Sequence, residues 1–379
     1  MTDTLEPTPS VETTLAPPGC RRIPSLDGLR AVSIALVLVG HSSATFGYHS
    51  AISRLAVLVF GDGELGVSVF FVISGYLITH LLIREWTATG RIHLRDFYIR
   101  RAFRILPAAY AYLIVMGVLT ARGWLQLNAR DFAAAATFTW NYHLAAGNMW
   151  WFLGHLWSLS VEEQFYVVWP LTLVVLGRRR ATWAAAIVIA VSPALRVAAY
   201  AALPRWRGHI PIMLPTRVDT LMFGCLAALT ADWPRVAAAV ERACAAGLHW
   251  AAAAIALVVG PAVEARLRGT YMLPLGYTVQ AACITLLLLW SIRHPNRGLA
   301  KPLNWKWVGF VGVLSYSLYL WQQPFLTQLN TTWTGRFPIN LLAAFLVAAG
   351  THVVIERPFL AARAMFRPRF LAMASAGDR

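Results

Sequence analysis

The stretch His155-Leu-Trp-Ser-Leu-Ser-Val-Glu162-Glu163-Gln164-Phe-Tyr-Val-Val-Trp-Pro170 decides the fold. It is apolar enough to enter a bilayer, yet it carries two adjacent carboxylates seven and eight residues from its start. A charged side chain near the bilayer centre costs about 2.5–3.5 kcal/mol on insertion scales, so such a residue is first read as functional. Consecutive helical residues point about 100° apart, so Glu162 and Glu163 face different directions. Glu162 shares its helical face with Ser158, Tyr166 and Trp169.

The rest of the chain supports a membrane setting. Only 13% of its 379 residues are charged and 58% are hydrophobic, with a mean hydropathy of +0.56. Soluble domains run near 25% charged. The net charge of +16 would suggest nucleic acid in a soluble chain; here it predicts basic cytoplasmic loops and no nucleic-acid partner. Cys20, Cys225, Cys244 and Cys283 show neither metal nor redox spacing, and no metal site or resident cofactor is expected. Arg21-Arg22 followed by Ala31–Val39 imitates a secretory signal, but Asp27 and Arg30 interrupt it, and an uncleaved first helix is the better reading.

Bilayer-length runs fall roughly at 28–47, 61–83, 105–121, 155–177, 181–201, 216–231, 248–264, 272–292, 307–329 and 338–356, at about 20 residues per crossing. With a cytoplasmic N-terminus, ten crossings place 23 of the 33 Lys and Arg residues inside. Counting the weaker run 132–143 as a crossing would send every later basic cluster outside. The expectation is an all-α polytopic bundle of about ten spans with both termini cytoplasmic. A disordered tail occupies 1–22, the membrane domain 23–360 and a basic tail 361–379. Residues 122–154 form an external, partly re-entrant segment, whose Trp140, Tyr142, Trp150 and Trp151 read either as an interfacial belt or as a stacking surface for a sugar.

Gly61-Asp-Gly63-Glu-Leu-Gly66 has dinucleotide-fingerprint spacing, but the run after it is of bilayer length. Its glycines are read as letting the second span begin close to a neighbouring backbone. His41 lies eleven residues beyond Arg30, a rise of about 16 Å, which puts it near mid-bilayer if Arg30 marks the inner edge. By the same rise, Glu162 descends about 10 Å from the outer side to a comparable depth. Imidazole is the usual general base near neutral pH. Arg101 and Arg104 share one face at the inner surface, where they serve either topology or phosphate binding. Arg196, Asp219 and His352 look isolated, Arg217 and Asp219 are badly spaced to pair on one helix, and no chemistry is assigned to them.

These stretches together resemble the bacterial acyltransferase-3 family of integral-membrane O-acyltransferases. The resemblance rests on Ile23-Pro-Ser-Leu-Asp27-Gly-Leu-Arg30 with His41, on Gly66-Val-Ser-Val-Phe-Phe-Val-Ile-Ser74-Gly75-Tyr and on Arg101-Ala-Phe-Arg104-Ile-Leu-Pro107. It continues through His155 to Tyr166, Leu314-Ser-Tyr-Ser-Leu-Tyr-Leu-Trp321 and Glu356-Arg-Pro358, in order over roughly 23–360. It implies a multi-pass enzyme of the cytoplasmic membrane, of the type without a fused SGNH hydrolase domain. The enzyme would move a short acyl group from acyl-coenzyme A to a hydroxyl of a carbohydrate-containing acceptor. It implies catalytic roles for His41 and Glu162, with Glu163 secondary, and phosphate binding by Arg30, Arg101 and Arg104. On this reading His41 takes the acceptor's proton or carries the acyl group, and Glu162 orients the imidazole. The competing class is a proton-coupled transporter or flippase using His41 and Glu162 as a relay.

Overall fold

The computed structural model describes residues 23–43, 45, 63–147 and 150–362. The expected tail 1–22, most of the basic tail, Cys20, and Gly61 of the glycine motif lie outside the described residues. Among those described, the chain is helical with no strand. Helix α1 runs Pro24–Ser42, α2 Gly63–Thr89 and α3 Leu94–Ala121. Short helices α4, Ala129–Ala136, and α5, Trp140–Ala145, lead to the long α6, Leu156–Ala202. Then come α7, Leu214–Thr230, α8, Pro234–Ala245, α9, Leu248–Leu267, and α10, Gly269–Arg293. Helix α11, Lys306–Trp321, precedes the final α12, Ile339–Ala362.

Among the described residues, seven helical stretches are long and apolar enough to cross a membrane. One face of α6 shows why they must meet lipid: Val167, Val168, Leu171 and Val175 are exposed, while Glu162, Phe165, Tyr166 and Trp169 are buried. A contiguous apolar stripe of that kind is rarely left in water. The polar residues face the bundle interior, where other helices satisfy them. This is a multi-pass membrane protein.

The two runs expected at 155–177 and 181–201 are joined without a loop. Gly177 alone leaves helical geometry, at φ 71° and ψ 166°, a conformation that costs glycine little. Arg178 fastens the bend by donating from Nε (3.1 Å) and Nη2 (2.6 Å) to the Leu229 carbonyl at the end of α7. Its Nη1 lies 2.8 Å from Asp232.

Helix α2 is the centre of the bundle, packing on α7 on one side and α1 on the other. A Cβ at Gly75 would lie 2.0 Å from the Leu221 carbonyl and one at Gly224 2.0 Å from the Val72 carbonyl, so both glycines are needed for α2 and α7 to touch. A Cβ at Gly66 would meet the Ser33 carbonyl at 2.6 Å, and Ser33 Oγ donates to the Gly66 carbonyl at 2.7 Å. Gly66 thus allows the close helix start expected of the glycine motif, in a helix pair and not a strand–helix unit.

The segment before α6 is a folded cap. Asn128 accepts from the backbone N–H of Arg130 and Asp131, and Asp131 accepts in return from the Asn128 N–H, a reciprocal capping box that starts α4. The other oxygen of Asp131 pairs with His143 Nε2 at 2.7 Å. Gln164 pins this cap to α6 by donating to the Phe138 carbonyl (2.8 Å) and to Asn141 (2.9 Å). The sugar-stacking expectation is reduced accordingly. Trp140 is fully buried, and of the four aromatics only Tyr142 is exposed.

Candidate active site

The named residues form two tiers joined by a cavity. In the first tier, Glu162 is buried on α6, and one of its carboxylate oxygens accepts hydrogen bonds from Ser74 of α2 and Tyr166 of its own helix. The Tyr166 contact follows from the i, i+4 spacing. Arg101 sits over the same tyrosine, its guanidinium carbon 4.3 Å from the ring centroid. Arg101 and Arg30 both lie within electrostatic reach of Glu162. Arg30 also meets Asp27, one turn earlier, at 3.4 Å. Neighbouring Arg100 is taken up by Glu85 at 3.1 Å, while Arg104 lies within electrostatic reach of Tyr316, as do Glu163 and Glu356.

His41 belongs to the second tier. Its Nδ1 is 2.7 Å from Gln322 Oε1, and its ring packs edge-on against Trp151 at 5.4 Å between centroids. His155, the residue that caps the start of α6, lies within electrostatic reach of His41, and its ring is held between Tyr112 (5.4 Å) and Tyr319 (5.3 Å). Neither ring nitrogen of His155 has a hydrogen-bond partner among the described residues.

Between the tiers lies a cleft with about 430 Å³ of empty space, including its open mouth. Ser33, Ile34 and Val37 line it from α1, all between Arg30 and His41 in sequence; Ser158 and Leu159 line it from α6, between His155 and Glu162. Tyr316 and Tyr319 line it from α11, just before Gln322. Glu162 itself forms one end.

This geometry changes two expectations. Glu162 does not orient the imidazole, since its partners are Ser74 and Tyr166 while His41 is held by Gln322. Nor do Glu162 and His41 share a depth. His41 packs on Trp151, ahead of α6, and Glu162 lies seven residues, about 10 Å, beyond His155 along the chain. One oxygen of Glu163 is buried without a hydrogen-bond partner among the described residues.

Sequence reading missed several of the residues that build the site. Ser74 stood inside a quoted motif and Tyr166 one turn from Glu162, so both left a signal. Gln322 and Gln323 come from a turn after α11 and left none. Arg196 and Asp219 are also not isolated: they pair at 2.8 Å with both side chains fully buried, and Thr278 bonds to each. His352 pairs with Glu356 at 2.9 Å.

A bundle of membrane helices enclosing a histidine, a carboxylate and arginines around an interior cleft fits a membrane enzyme that acts on a small transferable group. Comparison with known proteins agrees. The model of the acyltransferase domain matches residues 23–355, and the chain belongs to the acyltransferase-3 family. It is similar to the peptidoglycan O-acetyltransferase OatA of Listeria monocytogenes, 27% identical over 361 residues, covering 89% of this chain and 54% of that one. The O-acetyltransferase OatA of Staphylococcus aureus strain NCTC 8325 is 30% identical over 367 residues, covering 89% and 57%. A putative O-acetyltransferase of S. aureus strain COL is 29% identical over 93% of this chain and 61% of its own length. The chain therefore spans somewhat over half the length of these curated relatives. No solved structure matches it.

Proposed function

We propose that this protein is an O-acyltransferase of the cytoplasmic membrane, moving an acetyl or other short acyl group from acyl-coenzyme A to a carbohydrate hydroxyl. The observation that carries this reading is the cleft between the Arg30–Arg101–Glu162 tier and the His41 tier, in a chain of the acyltransferase-3 family. Peptidoglycan, named for the Listeria relative, is the first acceptor to test.

On this proposal Arg30, Arg101 and Arg104 hold the donor's phosphates at the inner mouth, where guanidinium geometry suits them, and the acyl group reaches into the cleft. His41 takes the proton of the acceptor hydroxyl as its oxygen attacks the thioester carbon. The carbon–sulfur bond breaks, and the coenzyme leaves as a thiol with the proton returned by the imidazolium. Glu162 keeps Ser74, Tyr166 and Arg101 in place below the cleft.

The ten-span topology with cytoplasmic termini belongs to the same proposal. Splitting α6 at Gly177 makes eight crossings of the seven long stretches, and the shorter α1 and α11 supply two more.

The decisive experiment is acetyl transfer by protein purified into lipid nanodiscs, following acetyl-coenzyme A consumption and acetylated muropeptides by mass spectrometry. Wild type should release thiol in step with product, and His41→Ala should lose about 100-fold or more in kcat. Near-normal transfer by His41→Ala would remove the histidine from the reaction. No acceptor-dependent thiol release with any carbohydrate would remove the donor assignment.

A further inference from the structure

The geometry points to Gln322 and Gln323 as positioning residues that fix which nitrogen of His41 carries its proton. The inference deepens the proposed function and rests on His41 acting as the base there.

A backbone group of fixed polarity sets the direction of each bond in this relay. The Trp151 carbonyl can only accept, so the amide end of Gln323 facing it, at 2.8 Å, must be Nε2. That leaves Gln323 Oε1 facing Gln322, at 2.6 Å, and an oxygen there requires Gln322 to present its own Nε2. Gln322 Oε1 is then the atom 2.7 Å from His41 Nδ1. An amide oxygen donates nothing, so Nδ1 must carry the hydrogen and Nε2 must hold the lone pair. Turning either amide around would set two acceptors face to face, a buried mismatch costing more than a lost hydrogen bond.

The surroundings enforce this order. Gln322 is fully buried and Gln323 is 2% exposed, so water has little access to exchange with them. The far end is doubly fastened, because Trp151 Nε1 donates back to the Gln323 carbonyl at 2.9 Å. The same tryptophan packs against the imidazole, closing the circuit on the residue whose polarity it sets. In a serine protease the buried aspartate that fixes the histidine tautomer is worth about 10⁴ in kcat. Here two neutral amides would do that work, without a charge in the bundle interior.

The test is nitrogen NMR of the full-length protein in nanodiscs with ring-labelled histidine, the His41 signals being assigned by their loss in His41→Gln. Wild type should show a protonated Nδ1 and a bare Nε2. Gln322→Leu should shift His41 towards the Nε2–H tautomer and lower kcat about 100-fold with little change in the KM for donor. Gln322→Glu, whose protonated carboxyl can donate to Gln323 Oε1 while its other oxygen faces Nδ1, should retain the wild-type tautomer and recover most of kcat. A wild-type His41 protonated on Nε2 overturns the proposal, as does an unchanged tautomer in Gln322→Leu. If Gln322→Leu does not fold, the wild-type spectrum still decides. A wild-type Nδ1–H signal combined with full transfer by His41→Ala would leave the relay standing and remove the base assignment instead.

Discussion

The guanidinium of Arg101 lies 4.3 Å from the ring centre of Tyr166, and the hydroxyl of that ring donates to Glu162. One tyrosine therefore carries the arginine on its face and the carboxylate on its edge. Tyr166→Phe should separate the two functions: the cation–π contact survives, while the buried carboxylate loses a donor at a cost of about 1–3 kcal/mol. Thermal unfolding should show that loss, with the KM for donor nearly unchanged. A raised donor KM in Tyr166→Phe would mean that the hydroxyl itself positions the donor.

Arg101 and Arg104 should not behave alike. If Arg101 holds a donor phosphate as proposed, Arg101→Gln removes that contact together with the cation beside Glu162, so kcat and donor KM should both suffer. Arg104→Gln should mainly raise donor KM, by roughly tenfold if one charge-assisted phosphate contact is lost. Steady-state kinetics with acetyl-coenzyme A separates them, and identical effects would refute the division of labour.

The cleft gives a size prediction. Val37→Phe adds volume to its wall and should shift donor preference towards the smallest acyl group, with propionyl transfer falling before acetyl transfer. Overpacking of this kind typically costs about 1–3 kcal/mol, so Tm must be measured alongside. Equal losses for both donors at unchanged Tm would mean that the acyl group does not sit there.

Arg196 and Asp219 test what holds the part of α6 after Gly177 against α7. Removing one partner of a fully buried pair should cost about 3–5 kcal/mol, so Asp219→Asn and Arg196→Met should each unfold at clearly lower temperature. The double replacement Arg196→Met with Asp219→Leu should recover much of that loss. Additive losses in the double variant would show that the two side chains are not coupled.

Beside the Gly177 bend, the Arg178 guanidinium hydrogen-bonded to Asp232 holds that carboxyl below the usual carboxylate range. A depressed carboxylate stabilises the fold above its unfolded value and loses that contribution as pH falls through its folded value. Acidification below the normal aspartate range should therefore lower the Tm of wild type more than that of Asp232→Asn. The side chain of Asp232 is 64% exposed, so the difference should stay within about 1 kcal/mol.

The sequence made the spans and the key site residues readable for different reasons. Spans announce themselves because hydrocarbon demands about twenty apolar residues in a row. Glu162 was visible as a charge in a place hydrocarbon penalises. The partnerships were not visible, because they join helices far apart in the chain: Glu162 with Ser74, Arg196 with Thr278, His41 with Gln322. Depth was misjudged for a related reason. Counting rise along α6 places Glu162 on its own helix but not against His41 on α1, since single-helix periodicity says nothing about the offset between two helices. The loop expected near Arg178–Arg180 is absent because a single glycine with a left-handed φ makes the bend.

That bend has a consequence for how the gene can vary. An ordinary surface loop absorbs insertions and deletions, but between Gly177 and Arg196 there is no loop to absorb them. One added residue would rotate everything beyond it by about 100°, carrying the guanidinium of Arg196 away from Asp219 and turning a lipid-facing side chain inward. Length changes in this half of α6 are thus confined to near-whole turns, and even those displace Arg196 by about 5 Å along the axis.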